Sequence, residues 1–301
     1  MEDAALDIDT DVDWDRTAFA LICPDAIVRQ VAVPIMRRWE ESGFAPLAWR
    51  CFWHRPDGLD AYYERNIKEV WHGYLYRLAD RVFAFGPTVA LLLDDQAPVD
   101  GLTSQRRLRA VKGSSEPAKA AAGTIRGDFG SINVSLGLVH SSDSAAEARR
   151  EADAFVGVGG FLAGQQPADL YAQLGVLESM RPTELRQYDD VLAGLRARVI
   201  AVMWDELPAA ARELADKLQA GGVTALSAPG VGAQLADLLA PATHPLEPVL
   251  RCEFMVDQPR IDMQRLAALL RAYGTDLDAW EDLVLATSMR FEPRRGSGLS
   301  T

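Results

Sequence analysis

Leu136-Gly-Leu-Val-His-Ser-Ser-Asp-Ser144 is the stretch that decides the fold of this 301-residue chain. The apolar run before His140 predicts a short buried strand that places the imidazole at its end. Ser144-Ala-Ala-Glu147 then has the pattern of a capping box, which predicts a helix start. An imidazole held at a strand end suits a nucleophile that accepts a phosphoryl group and passes it on.

A glycine-punctuated loop, Gly123-Thr-Ile-Arg-Gly-Asp-Phe129, precedes this strand. Such a loop can present backbone N–H groups, and Arg126 adds a planar guanidinium with five donors. Both kinds of donor suit phosphate oxygens. A solvated surface charge is the competing interpretation of Arg126, and a structural histidine is the competing interpretation of His140.

Strands and helices alternate on both sides of these two segments. Apolar patterning predicts strands at 18–22, at 46–53, within 82–93 and at 136–139, and helices at 25–41, 59–80, 104–110 and 144–155. This βαββαβ order predicts an α+β domain with a ferredoxin-like antiparallel sheet and inserted helices.

A break near residues 157–167, rich in glycine, divides the chain. Beyond it the three- and four-residue apolar spacing predicts a mainly helical domain, with one strand candidate at 250–256. The predicted organisation is a disordered acidic arm at 1–16, a first domain at 17–156, a helical accessory domain at 165–292 and a flexible tail at 293–301.

Composition narrows the classes of function and the compartment. The net charge of -12 argues against nucleic acid as a partner. No apolar stretch is long enough to span a membrane, and the acidic N-terminus does not have the pattern of a signal peptide. Three widely spaced cysteines, without a CxxC or His-rich pattern, indicate a reducing cytoplasm and no protein-held metal.

The first domain resembles the nucleoside diphosphate kinases over residues 17–156. That family carries a strand ending in His-Gly-Ser-Asp-Ser, preceded by Pro-Gly-Thr-Ile-Arg-Gly-Asp-Phe. The matching segments in this chain, in order, are Leu21-Ile-Cys-Pro-Asp-Ala26, Tyr62-Tyr-Glu64, Phe85-Gly-Pro-Thr-Val-Ala90, Arg109-Ala-Val-Lys-Gly113, Ala122-Gly-Thr-Ile-Arg-Gly-Asp-Phe129 and His140-Ser-Ser-Asp-Ser144.

The resemblance implies a role for each matching residue. His140 would be phosphorylated by a nucleoside triphosphate and would then phosphorylate a nucleoside diphosphate. Arg109 and Arg126 would grip the terminal phosphates, and Ser115 would contact a phosphate through its hydroxyl.

Three further matches would support the imidazole. Ser142 would lie beside it, and Glu151 would orient it by accepting its second N–H. Tyr62 matches a tyrosine near the histidine. The competing interpretations are a surface salt bridge for Glu151 and a packed core aromatic for Tyr62.

The chain departs from the family at three nucleotide-contacting positions. Cys23 replaces a lysine that reaches the transferring phosphate, Gly137 replaces an asparagine that senses the sugar, and Val70 replaces the aromatic that stacks on the base. Trp71 and Tyr74 lie close to Val70 in the sequence and are the alternatives for the stacking aromatic. Lys112, Arg106 and Arg107 are the alternatives for the missing charge, and Cys23 itself, before a predicted helix, is an alternative reactive thiol.

The sequence therefore predicts a phosphotransferase that acts through phospho-His140, with ATP or another triphosphate as donor and a diphosphate or a specialised molecule as acceptor. Mg²⁺ is expected to arrive with the nucleotide, and the resemblance implies a homo-oligomer, expected as a dimer. Two alternatives stay open: a nucleotide-binding protein with little turnover that acts through partners of its helical domain, and a structural remnant of the family.

Overall fold

The computed structural model describes residues 5–54, 74–156, 160–179, 186–239, 244–256 and 261–296. These residues form two compact units. The first comprises residues 5–131 and 135–179, and the second comprises residues 132–134 and 186–296.

The first unit contains six strands and seven α-helices within its described residues. Its strands are β1 (Ala5–Leu6), β2 (Thr17–Ile22), β3 (Phe44–Phe52), β4 (Thr88–Asp95), β5 (Val139–Ser141) and β6 (Phe161–Leu162). Its helices are α1 (Pro24–Val28), α2 (Ala32–Glu41), α3 (Tyr74–Ala84), α4 (Ser104–Lys112), α5 (Ile125–Asp128), α6 (Ala145–Val156) and α7 (Pro167–Ser179).

Four strands form an antiparallel sheet in the order β3-β4-β2-β5. This order is that of a ferredoxin-like βαββαβ domain, so the predicted fold class is confirmed. The central strand β2 is buried along its whole length because helices cover both faces of the sheet. Its alternate residues enter two cores: Ala20 packs with the side chains of α1 and α2, whereas Leu21 packs with those of α6.

The helix predicted at 25–41 is interrupted. Gln30 has a φ of 57°, and the amide of Val31 donates to the carbonyl of Ala26 at 3.0 Å. This six-to-one hydrogen bond around a left-handed residue ends α1 in the manner of a Schellman motif, and α2 then begins at Ala32. The apolar period continues across the interruption, so the pattern alone could not reveal it.

Residues 5–16 differ from the predicted disordered arm. Strand β1 pairs with β6, Val12 is buried, and the indole of Trp14 donates to the carbonyl of Ile8 at 2.9 Å. Apolar residues alternate with the acidic ones here and pack against the core of the first unit. The prediction weighed the charge and overlooked this spacing.

The first unit also extends past the predicted break at 157–167. Helix α7 belongs to it, because Leu170 and Leu174 are fully buried in the same core as α1 and α2. The side chain of Gln165 accepts a hydrogen bond from the backbone amide of Trp49 at 2.9 Å, on the edge strand β3. The unit therefore continues about one strand and one helix beyond residue 156.

The second unit is helical in its described residues. Its helices are α8 (Tyr188–Val202), α9 (Ala209–Ala220), α10 (Gly222–Ser227), α11 (Val231–Asp237), α12 (Glu247–Arg251), α13 (Met263–Ala272) and α14 (Ala279–Ser288). The strand predicted at 250–256 is wrong, because Pro248 opens the short helix α12 and residues 252–256 follow without strand pairing.

A three-residue segment from the middle of the chain completes this unit. The buried amide of Asn133 donates to the hydroxyls of Thr287 and Ser288 on α14, at 2.8 and 3.2 Å. No helix in the described part of the chain has the length and apolar character needed to cross a membrane.

Candidate functional site

His140 lies in the middle of β5, paired with Leu21 of the central strand. Its side chain keeps 31% of its surface exposed, and its Nε2 atom lies 2.9 Å from Oε2 of Glu151. Glu151 reaches this position because α6 starts just after β5, where the hydroxyl of Ser144 accepts the amide of Glu147. The strand and the helix thus bring the two predicted residues together.

The carboxylate of Glu151 holds two groups with one oxygen. Oε2 also accepts a hydrogen bond from the hydroxyl of Ser142 at 2.6 Å, and Arg150 lies 3.3 Å from Oε1. Burial raises the pKa of Glu151, but the hydrogen bonds from His140 and Ser142 outweigh it and hold the pKa below its usual value. An ionised carboxylate can only accept a hydrogen bond, so the Nε2 atom that faces it must carry the proton. The lone pair of the neutral ring is then on Nδ1.

Arg126 is buried behind this strand. Its Nε donates to the carbonyl of Gly137 at 3.0 Å, Nη2 donates to that of Val139 at 2.9 Å, and Nη1 donates to that of Gly113 at 3.3 Å. The side chain thereby joins the entry of β5 to the end of α4. These carbonyl contacts stabilise the backbone around His140. The phosphate-binding role of Arg126 and the nucleotide-contacting position of Gly137 stay predictions.

The backbone geometry around Arg126 explains why threonine and glycine occur beside it. Thr124 caps α5 by accepting the amide of Gly127 at 3.1 Å. Gly113 has a φ of 86°, and a Cβ there would lie 2.4 Å from Oγ1 of Thr124, so only glycine fits. The buried carboxylate of Asp25 accepts a hydrogen bond from the amide of Leu138 at 3.0 Å, a contact that no motif of the sequence indicates.

Two cations stand on the last turn of α4. Arg109 is exposed, with Nη1 3.5 Å from Oδ1 of Asp143. Lys112 is buried, and its Nζ donates to the carbonyl of Ser141 at 3.2 Å. Burial lowers the pKa of Lys112 to about 8. Lys112 is therefore the predicted alternative cation that lies next to the His140 strand.

Arg107, another alternative for the missing charge, contacts residues away from His140. It pairs with Asp95, donates to the carbonyl of Ser42 at 3.0 Å and stacks on Phe44. Arg106 is exposed on α4.

Cys23 follows β2 and is partly exposed. Burial and then the charge of Asp25 raise the pKa of its thiol, against the opposing charges of Arg126 and Lys112. A thiol with a raised pKa stays protonated at neutral pH, which disfavours the alternative of a reactive thiolate. Cys23 brings no charge to the site.

Ser115 is the one remaining predicted residue whose side chain the structure describes. Ser115 is exposed beyond the end of α4. Tyr62 and Val70 lie outside the described residues, and Tyr74 is described only as the first backbone residue of α3. Among the described residues, no group of three or more His, Cys, Asp or Glu is arranged to hold a metal ion.

The known proteins that the first unit resembles are nucleoside diphosphate kinases. The family model of nucleoside diphosphate kinase matches residues 16–158. Nucleoside diphosphate kinase 3 of Homo sapiens is 36% identical over 137 residues, which cover 46% of this chain and 74% of the relative. The nucleoside diphosphate kinase of Archaeoglobus fulgidus is 31% identical over 141 residues, covering 47% of this chain and 85% of the relative.

A crystal structure of nucleoside diphosphate kinase from Encephalitozoon cuniculi matches with a TM-score of 0.40 and 25% identity, covering 47% of this chain and 89% of that one. The family model, with the identity and coverage of the sequence relatives, identifies residues 16–158 as the region that matches nucleoside diphosphate kinases. The chain belongs to the nucleoside diphosphate kinase family.

Proposed function

We propose that the first unit is a phosphotransferase that moves the terminal phosphoryl group of a nucleoside triphosphate through phospho-His140 to a nucleoside diphosphate or a specialised acceptor. The observation that carries this proposal is the contact of 2.9 Å between Nε2 of His140 and the ionised Glu151. This contact fixes the ring and its tautomer, so that Nδ1 is the nucleophilic atom. The names of the family relatives agree with such a transfer.

The reaction divides into two displacements at phosphorus. In the first, the lone pair of Nδ1 forms a P–N bond as the bond from the γ-phosphorus to the bridging oxygen breaks, and the diphosphate leaves. In the second, an oxygen of the acceptor attacks the same phosphorus and the P–N bond breaks, which regenerates the imidazole. One nucleotide site serves both halves.

Cations near His140 would stabilise the charge on the transferring group. Arg109 and Lys112 stand on α4, and Arg126 lies behind β5. Because this set is basic rather than rich in carboxylates, we infer that Mg²⁺ arrives with the nucleotide and is held by its phosphate oxygens. Ser115, Tyr62, Tyr74 and Val70 remain proposed nucleotide contacts, and the cytoplasm remains the proposed compartment.

The second candidate function is nucleotide binding with little turnover, with output through partners of the helical unit. It is favoured by the carbonyl contacts that occupy Arg126 and by the uncharged thiol of Cys23. Losing a charge aimed at the transferring phosphoryl group typically slows transfer by about 10²–10³-fold.

Labelling with γ-phosphate-labelled ATP and Mg²⁺ separates the two candidates. We expect an acid-labile phosphoenzyme in the wild type and none in His140→Ala. His54→Ala is the matched control, since it removes another histidine of the same unit, and it should label like the wild type. Equal labelling of His140→Ala and wild type would exclude His140 as the nucleophile.

A further inference from the structure

Lys112 is a buried ammonium group beside the strand that carries His140. It is the last residue of α4, it is 8% exposed, and its Nζ donates to the carbonyl of Ser141 at 3.2 Å. An ammonium group offers three donors, and taking its charge out of water is costly unless a partner compensates. Within the described residues, no carboxylate lies within ion-pair distance of it.

A lysine with a structural role alone would be expected to extend its ammonium toward solvent. Lys112 instead lies among other cations. Burial lowers its pKa most, followed by the like charge of Arg126, and Arg109 lowers the pKa further. The carboxylates of Asp143 and Glu151 oppose these effects without cancelling them. Three positive groups around one strand end form a site that a polyanion would stabilise.

Cys23 shares these surroundings. Its backbone amide donates to the carbonyl of Leu138 at 2.9 Å, two residues before His140. The charge of Lys112 partly opposes the burial that raises the pKa of its thiol. The end of β2 and the end of α4 therefore approach β5 from two elements. A positive charge placed on either element would act on the same region.

We propose that the ammonium of Lys112 binds the phosphoryl group that is transferred at His140 and so supplies the charge that Cys23 does not. The proposal rests on the proposed function and assigns a catalytic role to one of the three cations that the sequence offers as replacements for the missing charge. The ammonium must be protonated to act. Because the pKa of Lys112 is lowered to about 8, transfer is expected to slow as the pH rises through that value.

The test compares Lys112→Met with Lys119→Met, which removes the charge of an exposed lysine of the same unit. Single-turnover phosphorylation by ATP and Mg²⁺ should slow by about 100-fold or more in Lys112→Met, and the fall in rate near pH 8 should disappear. Lys119→Met should remain within about twofold of the wild type, because its ion pair with Glu116 is exposed. In Cys23→Lys/Lys112→Met, the relocated charge should restore the rate by at least about tenfold over Lys112→Met.

Binding of ATP and Mg²⁺, measured by calorimetry, keeps the test informative without turnover. We expect the affinity of Lys112→Met to fall by about tenfold or more, since a charged hydrogen bond to phosphate is lost. If no variant is labelled but this loss is seen, the proposed transfer fails and the phosphate-binding role of Lys112 stands. If Lys112→Met matches Lys119→Met in both measurements, the role of Lys112 is overturned.

Discussion

A single oxygen of Glu151 orients the candidate nucleophile. Oε2 accepts from Nε2 of His140 at 2.9 Å and from the hydroxyl of Ser142 at 2.6 Å. The second bond holds the carboxylate in place while the first holds the imidazole. Sequence matching predicted both residues, but the sharing of one oxygen depends on the approach of α6 to β5 in three dimensions.

Replacing this carboxylate tests its charge. Glu151→Gln should slow single-turnover phosphorylation of His140 by about 10–100-fold, because a hydrogen bond to a charged group typically contributes about 1.5–3 kcal/mol. Stability should change as well. The pKa of Glu151 is lowered on folding from 4.5, so its contribution is complete above that value and is lost as the pH falls below it. Acid unfolding of the variant should therefore show a weaker pH dependence than that of the wild type. An unchanged rate would contradict the orienting role.

Arg126 and Arg109 offer a contrast between a buried and an exposed cation. Arg126→Lys loses the planar fork that binds three carbonyls, and we expect the free energy of unfolding to fall by about 3 kcal/mol. Arg109→Lys should leave stability within about 0.5 kcal/mol, since its partner Asp143 is also exposed. Urea unfolding measures both. Equal losses would mean that the carbonyl contacts of Arg126 do not hold the loop.

At the scale of elements, periodicity predicted the strands and most helices because their apolar positions repeat over several residues. It failed at Gln30, where a single left-handed residue ends the helix. It also failed in residues 5–16, where acidic residues alternate with apolar ones that pack against the core. The candidate site was predicted through its motifs. The burial of Lys112 and the carbonyl contacts of Arg126 were not, because they depend on how α4 and α5 pack against β5.

Helix α7 provides a test of the extended first unit. Leu174 is fully buried in its core, whereas Val176 on the same helix is 60% exposed. Leu174→Ala should lower the free energy of unfolding of this unit by about 2–5 kcal/mol, since it leaves a cavity. Val176→Ala should change it by less than about 0.5 kcal/mol. Matching effects in denaturant titration would place α7 outside the core.

At the scale of the whole molecule, the chain folds as two units whose boundaries do not follow sequence order. Residues 132–134 belong to the second unit although they lie between Arg126 and His140 in the sequence. The domain limits predicted at 156 and 165 could not show this, because glycine content marks loops and not the packing of distant segments. The helical unit was predicted by class from its apolar spacing.

We propose that the chain assembles with a second copy of itself. The resemblance leads us to expect a homodimer, and its contact should avoid the outer edge of β3, which residues 160–165 of the same chain cover. Gln165 already bonds the amide of Trp49 there, and Arg50 donates to the carbonyl of Gly160 at 3.0 Å. Light scattering should give twice the 32.9 kDa of one chain. A single-chain mass at micromolar concentration would exclude the dimer.

The proposed phosphotransfer requires that His140 carry the phosphoryl group on Nδ1. Phosphorus NMR of the phosphoenzyme, after peptide mapping of the labelled residue, distinguishes the two ring nitrogens. Because Glu151 holds Nε2, we expect one phosphohistidine at residue 140 with phosphorus on Nδ1, and its loss when a nucleoside diphosphate is added. Phosphorus on Nε2, on another residue, or absent from the protein would contradict it.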